Sequence, residues 1–181
     1  MLPMSHLLAT ASALVVCAGC AGTSTPGGAP GAGGPVPGGD SRAAVVRRVV
    51  DGDTLIARID GRDERVRMLG IDAPESVTPD RPVGCFGPEA SARTHALLPK
   101  GTRVTLASDP TQGARDRFGR LLSEVSLPGD AVTINERLVA GGYAEVFRGD
   151  GRARLQPRLR AAERAARSAH LGMWGACRSG G

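Results

Sequence analysis

Arg67-Met68-Leu69-Gly70-Ile71-Asp72-Ala73-Pro74-Glu75 is the stretch whose reading decides the fold. An apolar run opens on an arginine and closes on an aspartate, a turn proline and a glutamate. A strand that only fills a core needs none of those charges. A site that gathers a hard cation and a phosphate needs all of them.

Working outward, Ala44 to Val50 is rich in valine and reads as a strand, and Asp51-Gly52-Asp53-Thr54 reads as a turn with Gly52 at positive φ. Thr54 to Ile59 is a second strand, Asp60-Gly61 a second turn, and Glu64 to Ile71 a third strand. Short strands joined by Asp/Gly turns make a β-meander. Ala73 to Cys85 is a proline-punctuated loop, and Pro88 starts a helix that stops before Pro99. Thr102 to Ala107 and Gly119 to Leu127 are further strands, separated by a polar loop over Asp109 to Arg117. Ile134 to Ala140 and Gln156 to His170 are helices, with a short strand over Tyr143 to Phe147 between them. Five strands with a helix between the third and fourth predict a mainly β, α+β layout: a closed Greek-key barrel of OB type with about three packed helices. The helix from Gln156 is dense in Ala and Arg. It is read as a solvated face over an apolar side at Leu159, Ala162 and Ala166, rather than as a basic face for nucleic acid. Trp174 is read as core.

The first 43 residues are organised differently. Residues 1–20 read as an export signal: Leu7 to Gly19 is apolar and too short to span a bilayer. Ala18-Gly19-Cys20 resembles the end of a lipobox, which would lipidate Cys20 and tether the chain to a membrane facing outward. Cys17 stands where leucine is usual, and Met1 to His6 hold no Lys or Arg, so a plain cleaved secretory signal is the alternative. Residues 21–43 are almost wholly Gly, Ala, Pro, Ser and Thr and read as a disordered tether, because they cannot offset their ordering entropy by burial. The domain is then 44–177, with 178–181 a tail.

The net charge of +5 favours polyanionic partners such as nucleic acid or anionic lipid. Lys100 is the only lysine; the remaining basic charge is arginine, which forks two hydrogen bonds onto phosphate. Cys85 and Cys177 remain after the signal. In an oxidising compartment they read as one disulfide, the alternatives being two free thiols or an intermolecular bridge. No CxxC or His/Cys cluster supports zinc.

Four segments carry the chemistry. Asp51 and Asp53 sit on the first turn, Asp72 and Glu75 at the end of the opening stretch, Arg67 before them, and Arg120 after Asp116-Arg117-Phe118-Gly119. Oxygen-rich clusters suit Ca²⁺. Two arginines beside a metal clamp the charge of a phosphoryl transition state, and a glutamate near the metal takes a proton from an attacking water. Any one of these pieces alone is an ordinary turn or ion pair.

Together they resemble the staphylococcal nuclease (thermonuclease) family. The matching text is Val50 to Thr54, Arg67 with Asp72 to Glu75, Phe86-Gly87-Pro88-Glu89-Ala90-Ser91, Asp116 to Arg120, Asn135-Glu136 with Leu138-Val139, and Leu171-Gly172-Met173-Trp174. The resemblance implies a monomeric Ca²⁺-dependent nuclease on an OB barrel, cleaving DNA and RNA at the P–O5′ bond to leave 3′-phosphate ends. It implies that Asp53, Asp72 and the backbone carbonyl of Ala73 ligate Ca²⁺, with Asp51 behind them. Glu75 would be the general base, and Arg67 and Arg120 would hold the scissile phosphate. The staphylococcal enzyme stacks two tyrosines on its nucleotide. Here those positions fall near Arg148 and Asp150, which leaves Arg148, Arg152 or Arg154 to meet phosphate. The competing reading is a non-catalytic nucleic-acid-binding OB module.

Overall fold

Along the first strand Ala44 and Val46 are buried while Val45 and Arg47 face outward, and that period of two builds the barrel. The computed structural model describes residues 39–76, 82–149 and 153–177. The export signal, Cys20, most of the 21–43 tether, Asp150, Arg152 and the 178–181 tail lie outside the described residues.

Strand β1 spans Ser41–Val49, β2 Thr54–Ile59 and β3 Arg62–Met68. They are followed by β4 Ile71–Asp72, helix α1 Gly87–Leu97, β5 Arg103–Ala107 and β6 Leu121–Ser126. The chain ends with α2 Ile134–Ala140, β7 Glu145–Val146, α3 Gln156–Ser168 and α4 Met173–Ala176. The barrel closes in the order β1-β2-β3-β6-β5, with β5 returning to β1. Only the β3–β6 pairing is parallel among the barrel pairs. This is the five-stranded OB-type barrel with helices that the sequence predicts.

Its core is drawn from every strand. Val46, Leu55, Val66, Leu106 and Val125 are essentially inaccessible, and Leu138 and Leu159 close the barrel from α2 and α3. Burying each such side chain contributes about 1.5–3 kcal/mol. In β1 a register shift between Val46 and Arg48 admits an extra residue, so that Val49 turns inward and Arg47 and Arg48 both stay in water. On α3, Leu159 and Ala166 are buried and Ala162 is half-buried, in agreement with a solvated basic face.

Five local expectations need correction. Strand β1 begins at Ser41, so Ser41–Ala43, assigned to the tether, pair with β5 through Ser41↔Ala107. Backbone pairing with β5 orders residues whose side chains bury little. The third strand does not continue to Ile71. It breaks at Leu69 and Gly70, where Gly70 adopts φ 76°, and Ile71–Asp72 pairs instead with β7. Strand β6 begins at Leu121, because Gly119 (φ 76°) and Arg120 belong to the preceding turn. Gly52 is not at positive φ; a Cβ there would stand 2.5 Å from the Ala73 Cβ. Trp174 is only half-buried, on the short helix α4, with the Arg167 guanidinium 3.9 Å above its ring.

Candidate active site

The break at Gly70 is what assembles the site. β3 delivers Arg67 on its outward face, since Val66 and Met68 point inward. The chain then turns, with Leu69 N–H donating to the Ser123 carbonyl at 2.9 Å and Phe147 N–H to the Gly70 carbonyl at 2.9 Å. Asn135 of α2 locks this turn. Its buried amide donates to the Leu69 carbonyl at 2.8 Å and accepts from Val125 N–H at 2.9 Å. Asp72 is thereby carried back over Arg67, and the two pair at 2.6 Å.

The Asp51–Asp53 turn packs against this segment from below. Asp53 N–H donates to the Asp51 carboxylate at 3.0 Å, and Thr94 of α1 donates its hydroxyl to the Gly52 carbonyl at 2.7 Å. Asp53 is buried; its Oδ1 accepts from the Thr54 hydroxyl at 3.0 Å and its Oδ2 from Ala73 N–H at 2.8 Å. Arg67 also pairs with Asp53 Oδ2, so one guanidinium bridges Asp53 and Asp72. Gly52 and Ala90 leave room for this approach, and a side chain at 52 would have to push Ala73 aside.

Arg120 arrives from the turn before β6. Asp116 holds it twice: the carboxylate accepts from Arg120 Nε at 2.7 Å and from its backbone N–H at 3.0 Å. The guanidinium lies 5.4 Å from the centroid of Phe118, a ring that is 68% exposed.

Asp51, Asp53, Arg67, Asp72, Ala73, Glu75 and Arg120 line one polar pocket of about 180 Å³. Every sequence-predicted catalytic and metal-binding position is therefore in one place. A second cavity of about 640 Å³ adjoins it, sharing Arg67, Asp72 and Arg120 and adding Phe118, Leu122 and Phe147. Cys85 and Cys177 are joined by a disulfide, with Cα atoms 5.9 Å apart.

The electrostatics follow from burial. Desolvation pushes the Asp51 carboxyl above its usual range, against hydrogen bonds from Thr54 and the charge of Arg67; the nearby Glu75 adds to the rise. Desolvation also pulls the Arg67 guanidinium down, while Asp72 holds it up and the like charge of Arg120 lowers it further. For Asp116, burial acts upward but is overcome by the hydrogen bonds from Arg120 and Phe118 N–H, so its carboxyl titrates low.

The donor set is one of hard oxygens, which suits Ca²⁺. In the arrangement described, Arg67 occupies facing oxygens of Asp53 and Asp72. Among the described residues no three His, Cys, Asp or Glu side chains converge as a metal cage. The donor oxygens are of the kind a hard cation takes, and Arg67 is paired with those of Asp53 and Asp72.

Two arginine residues outside the pocket make structural contacts. Arg158 does not face solvent alone but pairs with Glu136 at 2.7 Å, fastening α3 to α2. Arg154 N–H donates to Asp109 at 2.6 Å. The sequence reading missed Asp116 as the anchor of Arg120 and Asn135 as the lock on the turn. The signal for the first was an Asp four residues before an Arg across a glycine turn; the second gives no local signal.

Barrel and pocket together define an OB-barrel protein with an acid-and-arginine pocket on its surface. The chain belongs to the staphylococcal nuclease homologue family, whose model matches residues 65–176. It is 44% identical over 100 residues to a thermonuclease of Staphylococcus intermedius, covering 55% of this chain and 56% of that protein. It is 36% identical over 129 residues to a thermonuclease of Staphylococcus hyicus, covering 71% and 73%. It is 33% identical over 128 residues to the endonuclease YncB of Bacillus subtilis, covering 70% and 59%.

Proposed function

We propose that this protein is a Ca²⁺-dependent nuclease that hydrolyses DNA or RNA at the P–O5′ bond and leaves 3′-phosphate ends. The observation that carries the reading is the convergence of Arg67, Glu75 and Arg120 with Asp53 and Asp72 in one pocket. The names of the relatives, thermonuclease and endonuclease, support the same class of reaction.

Asp53, Asp72 and the Ala73 carbonyl would hold the cation, with Asp51 behind them. Bound there, Ca²⁺ supplies positive charge against the phosphoryl oxygens and lowers the pKa of a nearby water. Arg67 bridges two carboxylates, and the same planar fork matches two oxygens of a phosphate. Arg120 is aimed by Asp116 into the same space, so two cations face the charge that develops on the phosphoryl group. Glu75 takes the proton of the attacking water. The adjoining cavity, with Phe118 and Phe147 exposed, gives a base or sugar an apolar seat in place of the tyrosines of the staphylococcal enzyme.

Export rests on the apolar segment Leu7 to Gly19, and a lipid anchor on Cys20 follows from the lipobox-like Ala18-Gly19-Cys20. The catalytic unit would act as a monomer outside the cell, tethered by that anchor. Radiolabelled acetate or palmitate incorporation, lost in Cys20→Ser, tests the anchor; no incorporation favours a cleaved secretory signal.

Substitution tests the reaction. Glu75→Gln is expected to lower kcat by about 10²–10⁴-fold and Arg67→Ala by about 10²–10³-fold, with near-native circular dichroism. Near-native activity in both variants would contradict the assignment. Salt-sensitive binding without cleavage by the native protein would instead favour the nucleic-acid-binding module.

A further inference from the structure

The backbone of Glu75 is fixed by the segment Gly84–Gly87, and that segment is itself held from the far end of the chain. Gly84 N–H donates to the Glu75 carbonyl at 2.8 Å, and a Cβ on Gly84 would stand 3.1 Å from the Glu75 nitrogen. A Cβ on Gly87 would overlap the Glu75 carbonyl oxygen. Both glycines thus lie flat against the peptide that carries the carboxylate.

Between them the chain is anchored twice. Cys85 is bonded to Cys177, across 92 positions of sequence. Phe86 adopts φ 68°, a left-handed conformation rare for a bulky residue, and its ring packs 5.5 Å from that of Tyr143. Cys177 is seated in turn. Its N–H donates to the Met173 carbonyl at 2.9 Å, and Met173 N–H to the Gly142 carbonyl at 2.9 Å. The linkage runs from the 142–143 turn through α4 and the disulfide to Cys85, and from the flanking glycines to Glu75.

Val83 is 59% exposed, so burial does little to seat the chain entering Gly84; the disulfide at Cys85 and the ring-packed Phe86 seat it instead.

We propose that the Cys85–Cys177 disulfide is a positioning device for the Glu75 carboxylate, acting through Gly84 and Gly87, and not only a staple on stability. The proposal rests on the reading of Glu75 as the residue that handles the attacking water. Displacing a catalytic group by about 1 Å costs up to roughly 10²-fold in rate.

The test is steady-state cleavage of single-stranded DNA by the oxidised full-length protein and its variants, with Ca²⁺, well below each variant's melting temperature. Cys85→Ser/Cys177→Ser is expected to lower kcat about tenfold, with KM within about twofold, because the loop shifts while the phosphate clamp stays. Gly87→Ala keeps the disulfide but presses on the Glu75 carbonyl, and should lower kcat in the same way. It keeps the proposal testable if the double-serine variant does not fold. In a Glu75→Gln background the double-serine change should cost no further activity. If Glu75→Gln abolishes cleavage while both other variants keep native kcat, the disulfide serves stability alone and the proposal is overturned. An undiminished further loss in the Glu75→Gln background overturns it equally. If Glu75→Gln itself keeps full activity, the reading of Glu75 falls and the proposal with it.

Discussion

Gly52 shows how much one missing methyl group decides. Its neighbours in the turn supply carboxylates, but Gly52 supplies only absence, letting Ala73 and Ala90 close on the turn. Gly52→Ala should destabilise the protein by about 1–3 kcal/mol through overpacking, measured as a lowered urea midpoint at unchanged slope. Asp116 is the second such residue. Asp116→Asn weakens the grip on Arg120 and should lower kcat roughly 10- to 100-fold in a cleavage assay. It should also cost about 1 kcal/mol at pH 7. The sign of the pH dependence is set by the low-titrating carboxyl. Because its folded value lies below the ordinary 3.8, the pair stabilises above that range and loses its contribution as pH falls through the folded value. Urea titrations of native protein and Asp116→Asn should therefore differ at pH 7 and converge as the pH falls below 3.8. The charged residues of the pocket were legible in the sequence because chemistry dictates their types. Gly52 was noticed for the wrong reason: a glycine after an aspartate signals a turn, whereas its actual constraint is contact with Ala73, 21 positions away.

At the scale of elements, the sequence revealed the strands and helices but not the break between β3 and β4. Leu69 and Ile71 are apolar on both sides of Gly70, so a continuous strand fits the local pattern. The break depends on partners distant in sequence, namely Ser123, Asn135 and Val146. Asn135 is the most exacting of them, because both ends of its amide are used in a buried place. Asn135→Ala would strand the Leu69 carbonyl and the Val125 N–H together, at a cost of about 2–4 kcal/mol in chemical denaturation. Loss of less than about 0.5 kcal/mol would show that the turn holds without it. The one-turn helix α4 was missed because four residues containing two small side chains carry no helical period.

At the scale of the whole molecule, a barrel of modest strands brings positions 51, 67, 75 and 120 to one pocket, and the helices brace its rim. Thr94 of α1 holds the acidic turn, Asn135 of α2 holds the break, and the ion pair from α3 to Glu136 holds α2. The central claim is that this pocket hydrolyses phosphodiesters with Ca²⁺. The most direct test incubates the purified protein with single-stranded DNA or RNA, with Ca²⁺ or with a chelator, and determines the product ends. Cleavage with Ca²⁺, its loss with chelator and 3′-phosphate product ends are the expected results. Absence of cleavage across neutral to alkaline pH, cleavage indifferent to chelator, or products ending in 3′-hydroxyl would contradict the claim.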